Sequence, residues 1–377
     1  DANTGEDDGA SLVGAKPERG EEENMKGLRL GVIGCGELMR LVHLPALLSL
    51  PDVTVAAIAE SDPQRRQDTH QRVPAARACE HYQELLELPE VEAVIVCVPS
   101  GLHAQAATAA MEMGKHVYVE KPLAISLEEG RRIITAWRRT DLTGMIGFNY
   151  RFHPLLQTLR HSLRERRLGE LVGMRSMLSS AWSVAPGWRQ MRRSGGGALL
   201  ELASHHIDLV HFLFEQDIQS VYATLRSLRN EDDSVMLQLQ LADGLLVQSF
   251  FSLHGVEEDR VEIYGQEGTL VVDRHHSLQV LFTGAEEKKS RLGLLREGMR
   301  ELLRGSYAWG KLRAPRREPS YGAALSHFVA SVRQRRPTSP DLWDGYRSLA
   351  VLMAAEESAR TGQAVSPLYE IPEETHA

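Results

Sequence analysis

The sequence contains few cysteines and no long hydrophobic run. Its three cysteines, Cys35, Cys79 and Cys97, lack C-x-x-C spacing, which argues against both a disulfide framework and a zinc site. No stretch of 18 apolar residues occurs, so no membrane span is predicted. No convincing set of metal ligands is present either. The apolar and charged fractions, 42% and 25%, are ordinary for a soluble globular protein, and we expect a reducing, cytoplasmic setting without nucleic-acid or membrane partners.

At 377 residues the chain is long enough for two domains with substantial cores. Its net charge of −8 is concentrated at the start, because residues 1–24 hold eight acidic side chains against two basic ones. This segment has few large apolar residues and is predicted to be a disordered acidic tail. It lacks the apolar core of a signal peptide. Met25, just before the first predicted strand, is a candidate natural start, although a leader already removed before Asp1 is an alternative.

A short apolar strand at 28–34 runs into the turn Gly34-Cys35-Gly36, and a helical pattern follows at 37–49. Gly34 permits a tight turn, and Gly36 lets the backbone approach a pyrophosphate. The phosphates would then meet the free N–H groups at the start of the helix. Met39 stands where a third glycine normally allows close packing of helix on strand. We therefore expect the helix to stand off or shift.

The second predicted strand, 53–59, ends at an acidic residue, Glu60. A carboxylate about 20 residues beyond the glycine turn can accept hydrogen bonds from a ribose diol and would repel a 2′-phosphate. Arg65 and Arg66 give the opposite signal, since either could neutralise such a phosphate, and Ser61 could hydrogen-bond to it. The sequence favours NAD and leaves NADP open.

The rhythm of predicted elements changes near residue 150. Before that point strands alternate with helices, a pattern typical of a parallel sheet joined by right-handed crossovers. The further strands in this part are predicted at 93–98, 116–120 and 143–148, and the further helices at 62–73, 81–88, 102–113 and 126–139. Beyond it, strands follow one another at 172–182, 218–228, 234–241, 246–255, 259–265 and 269–274. Helices are predicted there at 154–166, 198–214, 321–334 and 342–361. The second part is therefore predicted to contain an antiparallel sheet.

The buried strand that precedes Pro122 places Lys121 at a strand end. Ligands bind at the carboxyl ends of strands in open α/β sheets, so Lys121 is a candidate to act on a bound substrate. The alternative is a solvated turn residue. The loop Pro99-Ser100-Gly101 follows another strand and belongs to the same edge. Because an X-Pro bond adopts the cis form at modest cost, we expect Pro122 to be held rigidly, with a cis bond as one option.

A second chemical centre lies in the segment that begins at Gly195. Glu201 and His205 are four residues apart, so on an α-helix they share a face. The carboxylate would orient the imidazole and favour its protonated form, and Asp208 could also reach it. His206 points elsewhere and is assigned a structural role. The alternative is a surface ion pair worth about 0.3–0.5 kcal/mol.

Residues 284–318 look like an insertion or long connection, with ten basic residues against five acidic ones. Apolar residues recur there at helical spacing, which predicts an amphipathic basic helix. We favour a helix that packs on its own domain, over a partner surface or a lid for an anionic ligand.

Several of these segments together resemble one family, the Gfo/Idh/MocA oxidoreductases. They are the Gly34-Cys35-Gly36 turn, Glu120-Lys121-Pro122 and the segment Gly195–His205, with further matches at His103, Gly114-Lys115-His116, Gly147–Phe152, Trp188-Arg189 and Gly265–Leu270. The resemblance spans about residues 28–365. It implies a Rossmann dinucleotide-binding domain at 25–148 and a substrate-binding and oligomerisation α/β domain at 149–370 with a mostly antiparallel open sheet. The chain departs from the family in having Glu201 where Asp is usual and Ala203 where Gly is usual.

The resemblance implies an NAD(P)-dependent dehydrogenase that acts on a secondary hydroxyl of a sugar, sugar derivative or cyclitol, needs no metal, and forms a dimer or tetramer through its second sheet. The alternatives are a redox-assisted glycoside hydrolase or lyase and a non-catalytic ligand sensor. The catalytic residues would be Lys121, which contacts the reacting hydroxyl, His205, which accepts the proton, and Glu201; Asn149 would join them in binding substrate. The cofactor-binding residues would be Gly34, Gly36, Glu37, Leu38, Met39, Glu60, Arg65, Pro99, Ser100, His103, Glu120, Lys121, Arg151, Trp188 and Arg189.

Overall fold

The computed structural model describes residues 27–181, 187–284, 307, 311 and 318–371. The predicted acidic tail at 1–24 lies outside these residues, and so does most of the basic segment at 284–318.

The first sheet consists of six parallel strands in the order β3-β2-β1-β4-β5-β6. The strands are β1 Leu28–Ile33, β2 Val53–Ala59, β3 Arg77–Cys79, β4 Ala93–Val96, β5 His116–Val119 and β6 Gly144–Ile146. β4 is buried along its whole length, as expected for a strand covered on both faces. The order is that of a doubly wound Rossmann sheet, so the predicted N-terminal fold is confirmed. β3 was not predicted, because three residues with one buried side chain give no apolar run.

Helices cover both faces of this sheet. They are α1 Leu44–Leu48, α2 Pro63–His70, α3 Tyr82–Leu86, α4 His103–Glu112 and α5 Leu127–Arg138, with a 3-10 turn at Ser100–Leu102. Two of the starts follow from the sequence, since Asp62 and Ser126 cap α2 and α5 by accepting backbone N–H bonds three residues on.

A π-helical turn, Met39–His43, precedes α1. It begins at Met39, the residue that replaces the third glycine, and this side chain is fully buried in a core that includes residues of β1 and β2. A π turn places one more residue in the turn than an α-helix does. The first helix therefore begins with an altered winding, and its displacement from the strand stays a prediction.

The second sheet contains seven strands in the order β13-β12-β11-β7-β10-β9-β8. They are β7 Leu171–Ala181, β8 Ile218–Arg226, β9 Ser234–Leu241, β10 Leu246–Ser252, β11 His254–Gly265, β12 Gly268–Asp273 and β13 Leu281–Gly284. Only the β7–β10 pair in this sheet of described strands is parallel, so the prediction of a mostly antiparallel sheet is confirmed. β11 starts five residues before its predicted position, and β13 was not predicted.

One face of the second sheet carries the helices that complete its core. They are α6 Pro154–Arg164, α7 Ser204–Phe214 and α9 Leu342–Thr361; the π-helical turn Leu199–Ala203 leads into α7, and 3-10 turns lie at Asn149–Phe152, Gly187–Gln190 and Arg192–Ser194. α9 belongs to both cores, because Tyr346 and Leu349 pack with the first sheet and Val351 and Leu352 with the second.

The last helices of the chain also bear on the domain division. α8, Pro319–Gln334, packs Leu325 and Phe328 into the core of the first sheet. α8 and the first half of α9 therefore return to the first sheet. The division of the chain into domains between residues 148 and 149 stays a prediction. Within the described residues, no helix is long and apolar enough to cross a membrane.

Candidate functional site

A cavity of about 750 Å³ opens along the carboxyl edge of the first sheet. Its volume lies within the range of sites that enclose a small molecule or cofactor. It brings together most of the residues predicted from the sequence: Gly34, Gly36, Glu37, Leu38, Glu60, Arg65, Pro99, Ser100, His103, Glu120, Lys121, Trp188, Arg189 and Glu201. Four predicted residues do not line it: Met39, Asn149, Arg151 and His205.

The glycine turn forms one wall of the cavity. Gly34 has φ of +91°, and a Cβ on it would lie 2.7 Å from the carbonyl oxygen of Cys97, so both the turn and the close packing require glycine. Apart from Gly36 itself and its two neighbours in the chain, no atom of the described residues lies within 4 Å of the position that a Cβ would take on Gly36. The space beside Gly36 and the N–H groups of the following helix therefore suits the pyrophosphate of a dinucleotide.

Glu60 stands at the end of β2 with three donors around its carboxylate. It accepts hydrogen bonds from the N–H groups of Cys35 (2.8 Å) and Asp62 (3.0 Å) and from the guanidinium of Arg65 (3.0 Å). Burial raises its pKa, but these donors outweigh burial, so the pKa lies below its usual value. Arg66 turns away to the carbonyl of Glu60 and to Glu80. Glu60 is therefore ionised and rigidly placed.

The outer end of the cavity is formed by residues that sequence reasoning missed. Glu80, His81, Tyr82 and Gln83 line it from the loop after β3 and the start of α3. Their position in the cavity wall depends on β3, and this strand is too short to be predicted from the sequence. No motif in the sequence could have identified them.

Lys121 projects from the end of β5 into the inner part of the cavity. Its Nζ donates to the main-chain carbonyl of Glu201 (2.7 Å), and its backbone N–H donates to the carboxylate of Glu120 (3.2 Å). The Lys121–Pro122 peptide bond is cis, and the carbonyl of Pro122 lies 2.7 Å from Nδ1 of His103. Burial lowers the pKa of the Lys121 ammonium, while the charges of Glu201 and Glu120 oppose that effect.

The side chain of Glu201 lines the cavity and does not pair with His205. Its carboxylate lies 3.4 Å from Nε of Arg189, and among the described residues no hydrogen bond or ion pair joins Glu201 to His205. The prediction that Glu201 orients the imidazole is therefore corrected. The four-residue spacing places two side chains on one face of an α-helix, but Glu201 belongs to the π-helical turn before α7, where that spacing no longer holds.

The ring of His205 instead stacks on that of Tyr150, with centroids 4.4 Å apart and planes 16° from parallel. Burial lowers the pKa of His205 well below its usual value, and the nearby charges of Lys121 and Arg274 lower it further. This corrects the expectation that a carboxylate favours the protonated form. A neutral imidazole is the form that accepts a proton.

Tyr150 is in turn fixed by a buried charge cluster centred on Asp259 of β11. Its hydroxyl donates to the carboxylate of Asp259, which also lies 3.1 Å from Nε2 of His206 and accepts from Nε of Arg274 at 2.6 Å. Burial raises the pKa of Asp259, but Arg274 and His206 together hold it far below its usual value. His206 thus has the structural role predicted for it. Sequence reasoning missed Asp259 and Arg274, which lie more than 50 residues from His205 along the chain and carry no motif.

Three other predicted residues have structural partners away from the cavity. Arg151 pairs with Asp208 (2.6 Å) and Asp344 (3.0 Å), which also removes Asp208 from His205. Asn149 donates to the hydroxyl of Ser320 at 2.7 Å. Met39 is buried in the core that includes residues of β1 and β2. The assignments of Met39 and Arg151 to cofactor and of Asn149 to substrate are therefore not supported by their positions.

A doubly wound sheet with a glycine turn on its carboxyl edge, joined to an open and mostly antiparallel sheet, defines a two-part dinucleotide-binding protein. Family models agree with this class. Residues 28–148 match a model described as an oxidoreductase family with an NAD-binding Rossmann fold, and residues 156–271 match a GFO/IDH/MocA C-terminal domain. The chain belongs to the Gfo/Idh/MocA oxidoreductase family.

Curated relatives cover nearly the whole chain. Levoglucosan dehydrogenase of Pseudarthrobacter phenanthrenivorans is 28% identical over 89% of this chain and 97% of its own length. Myo-inositol 2-dehydrogenase of Thermotoga maritima is 25% identical over 90% of this chain and 98% of its own. An uncharacterized oxidoreductase of Synechocystis is 30% identical over 85% of this chain and 91% of its own.

Solved structures agree on the fold. Levoglucosan dehydrogenase in complex with NADH and levoglucosan superposes with a TM-score of 0.79 at 23% identity, and the match covers 92% of this chain and all of that chain. The WlbA dehydrogenase from Bordetella pertussis, in complex with NADH and UDP-GlcNAcA, gives 0.78 at 23% identity and covers 91% of this chain and 99% of that chain.

Proposed function

We propose that the protein is an NAD-dependent dehydrogenase that reversibly oxidises a secondary hydroxyl of a sugar, sugar derivative or cyclitol. The observation that carries this proposal is the placement of Lys121 in the same cavity as the glycine turn and Glu60. The relatives support the substrate class, since they are named for levoglucosan and inositol. A bound nicotinamide supplies the acceptor for the hydride.

His205 and Lys121 divide the work on the hydroxyl in this proposal. His205 lies outside the cavity lining but close enough to Lys121 for the ammonium to disfavour its charge, as burial also does. It is therefore neutral near pH 7, and we propose that it takes the hydroxyl proton. The Lys121 ammonium would stabilise the developing alkoxide from close range in a partly dehydrated site. Glu201, held beside Arg189, offers a carboxylate to neighbouring hydroxyls of the substrate. We propose that Asn149 and Arg151 stabilise the structure around the site and do not themselves contact substrate or cofactor.

The residues that line the cavity suit the successive parts of an NAD molecule. The turn at Gly34 and Gly36 would hold the pyrophosphate, and Glu60 would bind the adenosine ribose. Trp188 and Arg189 would lie toward the nicotinamide end, beside Lys121. Because Glu60 is ionised and Arg65 is bound to it, we propose that NAD is preferred to NADP.

A screen of NADH formation tests the proposal. Purified protein is incubated with NAD or NADP and a panel of inositols, anhydrosugars, hexoses, sugar acids and nucleotide sugars, and the absorbance of the reduced cofactor is followed. We expect turnover with at least one secondary alcohol and a preference for NAD. Release of free sugar from a nitrophenyl glycoside without net NADH would instead identify the hydrolytic alternative, and NAD binding with no turnover at all would identify a sensor.

We also propose that the protein is a cytoplasmic homo-oligomer that associates through the outer face of the second sheet. The strand register places four exposed apolar side chains on that face, those of Tyr222, Met236, Leu246 and Leu281. Among the described residues the helices pack on the other face of this sheet, which leaves these apolar side chains available for burial against a second copy. Light scattering on the wild type and on a Met236→Lys, Leu246→Lys double variant would detect a dimer or tetramer and its loss.

A further inference from the structure

A buried histidine–carboxylate pair lies directly behind Lys121. Nε2 of His43 is 2.7 Å from Oε1 of Glu120, and both side chains are almost completely shielded from solvent. The other carboxylate oxygen, Oε2, accepts the backbone N–H of Lys121 at 3.2 Å. A Cβ on Gly147 would lie 2.8 Å from Oε1, so the carboxylate is enclosed on that side as well. Glu120 therefore links His43 to Lys121.

The winding of the first helix gives His43 this position. His43 is the last residue of the π-helical turn that begins at Met39. Its ring meets those of Tyr118 and Tyr321 edge-on, with centroids 5.8 and 5.5 Å away. Turns of this kind occur frequently at functional sites. The π-helical turn thus joins two features in one local arrangement: Met39 at the third glycine position, and the contact of His43 with Glu120 just after β5.

The charge of Glu120 bears on the charge of Lys121. Burial raises the pKa of Glu120, but the hydrogen bond from His43 and the Lys121 ammonium outweigh burial and keep the carboxylate ionised. Burial lowers the pKa of the Lys121 ammonium, Glu201 and then Glu120 raise it, and Arg189 lowers it. The titratable groups that face Glu120 from the surrounding elements are His43, Cys97, His103, Tyr118, Lys121 and Tyr321.

We propose that His43 is a positioning residue for the reaction: through its hydrogen bond it fixes Glu120 as a carboxylate, and Glu120 holds Lys121 in place and in its ammonium form. The benefit of this arrangement rests on the proposed function, since it requires a charged Lys121 beside the substrate. The arrangement itself can be measured without turnover.

The experiment measures the charge of Lys121 directly. Wild type, His43→Leu and His43→Gln are treated briefly with acetic anhydride across a range of pH, and acetylation of Lys121 and of Lys115 is quantified by mass spectrometry. Only the free amine reacts, so the pH of half-maximal reaction reports the titration of each lysine. We expect this midpoint for Lys121 to fall by about one pH unit in His43→Leu, because a buried carboxylate without its partner favours the neutral form. In His43→Gln the amide can still donate to Glu120, and the midpoint should stay near that of wild type.

Kinetics give the second readout. With the best substrate found in the screen, kcat of His43→Leu should fall about 10-fold to 100-fold and its alkaline limb should move to lower pH, while the dissociation constant for NAD stays within about threefold. His43→Gln should keep at least roughly a third of the wild-type kcat. His254→Leu is the matched control, since it removes a histidine that pairs with Asp233 at 3.3 Å and lies outside the residues lining the cavity. It should change neither the Lys121 midpoint nor kcat.

An unmoved Lys121 midpoint in His43→Leu would overturn the proposal, and so would a His43→Gln variant that behaves like His43→Leu. Thermal unfolding shows whether His43→Leu folds. If it does not, Glu120→Gln is used instead: it removes the negative charge of the carboxylate with little change in side-chain shape, and it must lower the Lys121 midpoint. A lowered midpoint in a protein that oxidises no alcohol would retain this inference and reject the proposed function.

Discussion

The cofactor end of the site and the surroundings of His205 differ in how well the sequence predicts which residues come together. At the edge of the first sheet, Gly34, Gly36, Glu60 and Lys121 line one cavity as their positions at strand ends suggest. Around His205 the contacts come from residues far away in sequence, such as Tyr150 and Asp259. The carboxyl ends of parallel strands meet by topology alone, whereas a buried side chain's partners depend on packing between elements. Strand-end positions therefore carry more information than spacing within one helix.

The largest effect is expected at the residue on which the proposal depends. Lys121→Ala removes the ammonium beside the substrate and should lower kcat by about 10²-fold to 10⁴-fold. The dissociation constant for NAD should change little, because the pyrophosphate and ribose contacts lie elsewhere. Stopped-flow turnover and fluorescence titration with NAD separate the two. Lys115→Ala, at a buried lysine outside the residues lining the cavity, is the control; retention of full activity by Lys121→Ala would end the catalytic assignment.

A substitution at Tyr150 tests the second half of the comparison. Tyr150→Leu removes the ring on which His205 stacks and should lower kcat about 10-fold to 100-fold, since a misplaced base transfers its proton less efficiently. Tyr150→Phe keeps the stacked ring and loses only the hydroxyl bond to Asp259, so it should lose less. Steady-state kinetics with substrate, combined with thermal unfolding, measure this difference. Equal activity of the two variants would show that the stacked ring does not position His205.

Glu60 tests the cofactor end of the first sheet. Glu60→Gln removes a charge that would bind the ribose and should weaken NAD binding by roughly tenfold, with a smaller loss for NADP. Fluorescence titration with each nucleotide gives the ratio. Glu87→Gln, an exposed glutamate outside the cavity lining, should leave both affinities unchanged. If the preference for NAD over NADP is unchanged in Glu60→Gln, a residue other than Glu60 is responsible for it.

The smallest change concerns the acid limb of the pH profile. Because burial lowers the pKa of His205 from its ordinary 6.5, the neutral base persists below that pH. We therefore expect kcat/KM to hold its plateau below pH 6.5 and to fall only when the imidazole gains its proton. Glu201→Gln should raise KM without moving this limb. A limb above pH 6.5 that falls with Glu201→Gln would restore the carboxylate–imidazole pair that helical spacing suggested.

Most of the fold follows from patterns in the sequence. The bounds of β9 and α9 were predicted to the residue, because β9 alternates buried and exposed side chains and α9 begins at a capping aspartate and ends at Gly362. β3 and β13 were missed since each is short. The first π-helical turn gave only an indirect signal, the methionine at the third glycine position, and the second gave none. Winding of this kind depends on packing beneath the helix, which a periodicity of apolar residues does not describe.

Helix α9, shared between the two hydrophobic cores, has a consequence for how the protein loses its structure. Its first half supplies Tyr346 and Leu349 to one core and its second half supplies Val351 and Leu352 to the other. Neither sheet can release the helix without exposing apolar surface that belongs to its neighbour. The two sheets should therefore melt together in one cooperative transition, and a calorimetric scan should show a single peak despite the two-part architecture.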